Sequence, residues 1–480
     1  MTSSNLLIIL SDEHSPSVIC AHGHPEISTP HIDRLIGGGT DFTSANCASP
    51  ICVPTRAAIA TGRYCFEMGY WDNVDGYDGR TPSWHHVLRD AGHEVSSIGK
   101  LHYRGWEGDD YGFTESLLPM HIHQGRGEVK MLLRDPPESI GDGSNMLRSA
   151  KAGESDYTRY DRQIALEAKR WLRDHGSRHK PDKPWVLMVS MVAPHFPLTA
   201  PQEFFDKYKD LPLRLPKDYR FGVEGHPHPF LTQYSQLSGY NLHFESEDDV
   251  RRALCGYYGL VSFLDHQIGE LLKTVQEAGL ADTTRVLYLS DHGDNMGSRG
   301  LWGKSTMYRE SVGIPLVLSG PEVEKGRTVT APTSQIDVYN TVLDAVGIPL
   351  SASTASPHSR SLLRPIEAQR TTLAEYHTVG SRSAIFMLQD AHAKYVHYED
   401  LAPQLFNLKD DPEELHDIAP QPEIAPQLEA WEQRLQSFCN PAVIDHKAKA
   451  RQAELIALYG GEESIRRGQG IGGYTPSPLK

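Results

Sequence analysis

The sequence predicts an α/β fold: a doubly wound, mostly parallel sheet with helices on both faces, followed by a small C-terminal α+β subdomain and an extended tail. Two observations carry that prediction. Residues 5–10 (NLLIIL), 185–191 (WVLMVSM) and 285–290 (RVLYLS) are short, nearly continuous apolar runs, the pattern of strands buried on both faces. Helical periodicities alternate with these runs, as in βαβ units.

The elements follow in order. The run at 5–10 stops at Ser11-Asp12-Glu13. Thr29-Pro30 then supplies an N-cap and an N1 proline, and Gly37 to Gly39 close the short helix they open. Thr81-Pro82 opens a second helix that Gly92 ends, and a strand to Ile98 leads into Gly99-Lys100-Leu101-His102. Helical periodicity over 160–174 precedes the run at 185–191, which ends at Ala193-Pro194-His195. A long amphipathic helix over 248–278 precedes the run at 285–290, which ends at Asp291-His292-Gly293-Asp294. Beyond Pro365 the pattern changes to strand candidates at 383–388 and 393–397 and a helix over 424–438. The organisation expected is therefore a catalytic domain over 1–365, a subdomain over 366–440 and a tail over 441–480. Within the tail, 447–458 (KAKARQAELIAL) has helical propensity, and the apolar positions of 455–459 suit it to an oligomerisation arm that builds a homodimer or homotetramer.

Composition narrows the function. The 480 residues carry 47 Lys+Arg against 62 Asp+Glu, a net charge of −15, without a basic run to neutralise phosphates. Nucleic acid and anionic membrane surfaces are thereby disfavoured as partners. The first apolar run is far below the roughly 20 residues of a membrane span, and no basic segment precedes it, so a cytoplasmic location is expected. Six cysteines without a C-x-x-C pair argue against structural zinc and against a disulfide scaffold.

Chemistry concentrates at strand ends. Asp12, Lys100 with His102, His195 and Asp291-His292 each lie just after a candidate strand, where open α/β sheets bind ligands. Asp12, Asp291 and His292 supply two hard oxygens and an imidazole, a set suited to Ca²⁺, Mn²⁺ or Mg²⁺. Glu13 would face away from Asp12 if strand geometry persisted, and it is left out of that set. In Cys52-Val53-Pro54-Thr55-Arg56, Pro54 ahead of an Ala-rich run puts Cys52 at a helix N-terminus, where an anion is stabilised. On the residues alone, an activated nucleophile and a small buried cysteine carry equal weight there. Gly468, Gly470 and Gly473 satisfy G-x-G-x-x-G, but no strand precedes them and no helix follows, which reads as a tail segment.

The pentamer at 52–56 with Thr61-Gly62-Arg63 resembles the signature of the type I, formylglycine-dependent sulfatases of the alkaline phosphatase superfamily. Gly99 to His102, Ala193 to His195, Ser290 to Asp294 and Lys304 match further motifs of that family in order. The resemblance covers about residues 5–320, with weaker similarity over 404–412 (QLFNLKDDP), and is greatest to choline sulfatase-like and phosphonate monoester hydrolase-like members.

That resemblance implies hydrolysis of sulfate monoesters, with phosphonate monoester or phosphodiester hydrolysis as the alternative on the same scaffold. It implies that a maturation enzyme converts Cys52 to formylglycine, whose hydrate attacks sulfur with one hydroxyl and expels sulfate through the other. It implies that Asp12, Asp291, His292 and residue 52 bind one divalent metal, Ca²⁺ or Mn²⁺ ahead of Mg²⁺. Arg56 would hold the hydrate and neighbouring carboxylates, while Lys100, His102, His195 and Lys304 would neutralise the sulfate and the leaving oxygen. His195 or Lys304 would protonate that oxygen, and Asn73 would add a donor to the sulfate. The phosphonate and phosphodiester hydrolases typically lack the Lys-x-His pair that Lys100 and His102 supply, which favours a sulfate monoester.

Overall fold

A computed structural model describes residues 2–139, 142–174, 182–468 and 474–479. Its centre is an eight-stranded sheet. The strands are β1 (Asn5–Asp12), β2 (Gly39–Phe42), β3 (Val95–Lys100), β4 (Glu115–Met120), β5 (Val186–Pro194), β6 (Thr284–Ser290), β7 (Leu316–Ser319) and β8 (Arg327–Val329). They run in the order β8-β2-β7-β6-β1-β5-β3-β4, and only β7 is antiparallel to its neighbours.

Alternation along β1 shows why helices are needed on both faces. Leu6, Ile8 and Leu10 pack with Ile59 of α2 (Cys52–Thr61), Leu88 of α3 (Trp84–Asp90) and Val338 and Val342 of the helix Asp337–Val346. Leu7 and Ile9 pack on the opposite side with α1 (Pro30–Gly37), α4 (Asp156–Asp174) and α5 (Glu247–Glu277). With α6 assigned to Asp337–Val346, helices α2, α3 and α6 pack on one face and α1, α4 and α5 on the other. Burial on both sides is what a continuous apolar strand requires.

The C-terminal subdomain is a four-stranded antiparallel sheet: β9 (Thr372–Tyr376), β10 (Ile385–Gln389), β11 (Ala393–Tyr398) and β12 (Leu401–Asn407). Ile385 and Met387 face the large core, whereas Phe386 and Leu388 pack with Trp431 and Leu435 of α7 (Ala425–Phe438). The segment expected as a tail forms α8 (Pro441–Leu458) and α9 (Glu462–Arg467) on the same chain. Helix α8 starts six residues ahead of the expected 447, because Asn440 accepts from Val443 N as an N-cap and Pro441 fits the first turn. Its Leu455 packs with Val74, Met131, Leu132 and Val379. Gly470 and Gly473 of the glycine motif lie outside the described residues.

Candidate active site

Four carboxyl ends meet in one place. Asp12 closes β1, Lys100 closes β3, His195 follows the last residue of β5, and Asp291 follows Ser290 of β6. Ser11 stands opposite Ser290 and Gly99 opposite Ser190 in the strand register, so the four ends are neighbours. Gly99 is required for that approach: its φ is +103°, and a Cβ would fall 2.2 Å from the Ser190 carbonyl oxygen.

Cys52 opens α2, with Ile51 as N-cap, and the helix aims it at the same point. Asp12, Cys52, Asp291 and His292 are all buried, and their ligand atoms lie within 4.8 Å of one another. Cys52 Sγ is 3.2 Å from His292 Nε2 and 3.8 Å from Asp12 Oδ1. His292 Nδ1–H donates to the Gly293 carbonyl at 3.0 Å, which leaves the Nε2 lone pair directed into the cluster. An imidazole oriented by a backbone carbonyl beside two carboxylates is the arrangement that ligates a hard divalent cation, so these residues fit one.

Arg56 organises the carboxylates. Its Nε donates to Asp291 Oδ2 (2.9 Å), Nη2 to Asp12 Oδ2 (3.1 Å), and Nη1 to Lys100 O (2.7 Å) and Ser190 Oγ (3.0 Å). Lys100 Nζ forms an ion pair with Asp12 Oδ2, a contact absent from the sequence reading. Burial would raise the Asp12 pKa, but Lys100, His195 and Arg56 together hold it well below the usual carboxylate range. Cys52 behaves oppositely. Burial, reinforced by Asp12, pushes its thiol up to about 12, so the helix N-terminus alone does not make it a thiolate.

The remaining predicted residues line the cavity over Cys52. Lys304 Nζ lies 3.2 Å from Cys52 Sγ and 3.4 Å from Glu13 Oε2, and its pKa is raised because Cys52, Glu13 and Asp12 outweigh burial. His195 donates from Nδ1 to Phe196 O at 2.6 Å and turns Nε2 towards Glu13 Oε2 at 3.4 Å. His102 is buried with a φ of +54°, and neither ring nitrogen has a hydrogen-bond partner among the described residues. Burial lowers the pKa of both histidines, with Lys100 adding at His102 and Lys304 at His195. Two unpartnered buried ring nitrogens point to a polar ligand at that position. Asn73 accepts from Val53 N at 3.0 Å through Oδ1, leaving its NH₂ group for a ligand. The outer walls include Met131, Tyr157, Phe196, Tyr234, Tyr240 and Thr475.

The structure adds residues that the sequence reading left out. Glu13 lies in the cavity beside Asp12 and His195, because its φ of +69° ends the strand alternation that would have turned it away. Burial pushes its carboxyl up to about 7 against the pull of Lys304. Asp161 of α4 accepts from Val192 N and Ala193 N, both at 2.7 Å, and so fixes the strand end before His195. Gln335 donates to the Ser290 carbonyl at 2.7 Å and to the Asp291 carbonyl at 2.5 Å behind the ligand pair. No local motif marks these three. Their roles come from tertiary contacts.

Comparison with known proteins places this geometry. Residues 4–348 match the family model described as Sulfatase, and residues 297–440 match N-sulphoglucosamine sulphohydrolase, C-terminal. The choline-sulfatase of Rhizobium meliloti (strain 1021) is 31% identical over 429 residues, covering 87% of this chain and 83% of that protein. Arylsulfatase K of Homo sapiens is 26% identical over 462 residues, covering 91% and 82%. Among solved structures, the phosphonate monoester hydrolase of Agrobacterium radiobacter superposes with a TM-score of 0.74 at 22% identity, covering 94% of this chain and 96% of its own. A protein solved with its substrate D-glucosamine-2-N,6-O-disulfate gives 0.71 at 19% identity, covering 94% and 99%.

Proposed function

The chain belongs to the sulfatase family and hydrolyses sulfate monoesters, and we propose that it does so with a formylglycine made from Cys52 beside one divalent metal ion. Asp12, Asp291 and His292, with residue 52, would hold the metal, and two carboxylates with an imidazole suit Ca²⁺ or Mn²⁺, which the family resemblance puts ahead of Mg²⁺. The metal would supply Lewis acidity to the hydroxyl at position 52, and the formylglycine hydrate would supply an attacking hydroxyl plus a second one for expelling sulfate. The observation that carries this reading is the approach of His292 Nε2 and Lys304 Nζ to Cys52 Sγ, each at 3.2 Å, inside a buried ligand cluster.

The chain's own side chains would do the rest. Arg56 orients Asp12 and Asp291 through Nη2 and Nε and ties them to the Lys100 carbonyl and Ser190 through Nη1, and it would hold the hydrate at position 52 beside them. Lys100, His102, Lys304 and Asn73 would surround the sulfate oxygens and offset charge as it develops on them. His195 or Lys304 would deliver the proton to the departing alcohol oxygen, and Tyr157, Phe196 and Tyr240 would meet the organic group.

Phosphonate or phosphodiester hydrolysis is the second reading. Lys100 and His102, which line the cavity over Cys52, weigh against it, because the family resemblance ties such a Lys-x-His pair to sulfate monoesters. A panel of choline sulfate, an aryl sulfate, a phosphodiester and a phosphonate monoester, compared by kcat/KM, tests the choice. A sulfate ester is expected to lead. A phosphonate or phosphodiester leading would reverse it.

Three companions complete the proposal: a formylglycine-generating maturation enzyme, a cytoplasmic location and a homodimer or homotetramer. Among the described residues no helix is long and apolar enough to cross a membrane. Exposed Val443 and Leu458 on α8 support assembly through this helix, and sedimentation of Val443→Glu/Leu458→Glu should show a smaller particle than the parent.

A further inference from the structure

The motif at 404–412 has no part in the chemistry above, yet the chain immediately after it is bolted to the loop that carries Lys304. Glu414 is buried in a left-handed conformation (φ +56°). Its Oε2 accepts from Arg309 N at 2.9 Å, and its Oε1 pairs with Lys394 Nζ. Lys394, buried on β11, also donates to the Met307 carbonyl at 3.0 Å. Arg299 stacks its guanidinium 3.8 Å from the Tyr308 ring centroid, donates to Glu310 Oε2 at 3.2 Å, and donates to the Glu413 and Glu414 carbonyls at 2.5 and 3.1 Å.

The clamped segment is one that would not hold its shape unaided. Met296, Arg299 and Ser305 are non-glycine residues at φ of +48°, +59° and +74°, and Lys304 lies between Gly303 (φ +70°) and Ser305. Such conformations persist where surrounding contacts over-determine them. At its start the segment is fixed internally, because Asp294 accepts from Met296 N (2.7 Å) and Gly303 N (3.0 Å). Beyond Lys304, Lys394 and Glu414 reach Met307 and Arg309 from the subdomain. A buried ion pair adds little stability compared with a well-packed apolar pair, so what it contributes here is selection of one loop conformation.

We propose that Lys394 and Glu414 are positioning residues for Lys304, making the C-terminal subdomain part of the catalytic apparatus although it adds no group to the reacting centre. The proposal rests on the assignment of Lys304 to the sulfate or leaving oxygen. It predicts that breaking the clamp costs the same transition-state contact as removing Lys304, and not a second one.

The test is a cycle of kcat and KM for sulfate ester hydrolysis in fully matured, metal-loaded protein: Lys394→Met, Lys304→Ala and the double variant. Lys394→Met should lower kcat by about 10²-fold with KM nearly unchanged, the scale of a misplaced catalytic group. In the Lys304→Ala background the same substitution should change kcat by less than about twofold. Equal losses in both backgrounds would overturn the positioning role. Should Lys394→Met not fold, Lys394→Met/Glu414→Leu removes both charges and leaves neither stranded, and the cycle is repeated with it. A wild-type rate for Lys304→Ala would overturn the assignment of Lys304, and the clamp with it, whereas a slow Lys304→Ala with additive losses overturns the clamp alone.

Discussion

Glu13 and Asp12 share a cavity because one backbone angle, a φ of +69°, interrupts the alternation that strand geometry would impose. Residue order alone does not reveal such a turn, which is why a sequence-based set omits Glu13, whereas Asp12, Cys52, Lys100, His102, His195, Asp291, His292 and Lys304 lie in the cavity or the ligand cluster. Cys52 teaches the converse. Its place at a helix N-terminus was readable, but not the burial that drives its thiol up to about 12. Two predictions belong at this scale. Lys100→Ala or His102→Ala should slow sulfate ester hydrolysis by about 10²-fold, the effect of losing one donor from a preorganised site, and should slow any phosphodiester turnover less. Equal losses on both substrates, measured as kcat/KM, would remove these residues from the choice of substrate. Asp291→Ala and His292→Ala should each lose bound metal and activity together while circular dichroism keeps the native signal, since both lie beyond the strand ends and outside the sheet core. Full metal content by elemental analysis with a wild-type rate would show that the ligands are elsewhere.

Elements whose two faces are both buried were the easiest to read. β1, β5 and β6 emerge from continuous apolar runs, and α5 from its long amphipathic periodicity. The edge strand β4 (ESLLPM) escaped because it is half exposed and carries Pro119, and β2 (GTDF) because four residues with a glycine and an aspartate resemble a turn. Helix α8 had its start signal in Asn440-Pro441, yet polar composition led to its reading as a tail. Its buried stripe was the better guide: Leu455 is 4% exposed and packs against Met131 and Val379, which wall the active-site cavity. Leu455→Ala should therefore destabilise the protein by about 2–5 kcal/mol, the range for a buried leucine, and lower the thermal midpoint. An unchanged midpoint would mean that α8 is not packed on this core.

At the scale of the whole molecule, sheet, subdomain and C-terminal helices form successive supports around one small centre. The parallel sheet brings Asp12, Lys100, His195 and Asp291 to adjacent ends, the subdomain braces the loop of Lys304, and α8 backs the wall that includes Met131. Strand-end polarity made the first of these layers legible in the sequence. The other two were not, because they depend on contacts between residues far apart in the chain, from Lys394 with Met307, 87 positions apart, to Gln452 Nε2 with Asp72 Oδ2 at 3.0 Å, 380 positions apart. The central claim, that position 52 acts as formylglycine, has a direct test. Protein is prepared with graded maturation, the aldehyde fraction is read by mass spectrometry on the tryptic peptide spanning residues 35–56, and kcat for a sulfate ester is measured on each sample. Activity should rise in proportion to the aldehyde fraction and extrapolate to zero where every chain retains Cys52. Full activity in protein whose peptide carries only unmodified cysteine would contradict the account.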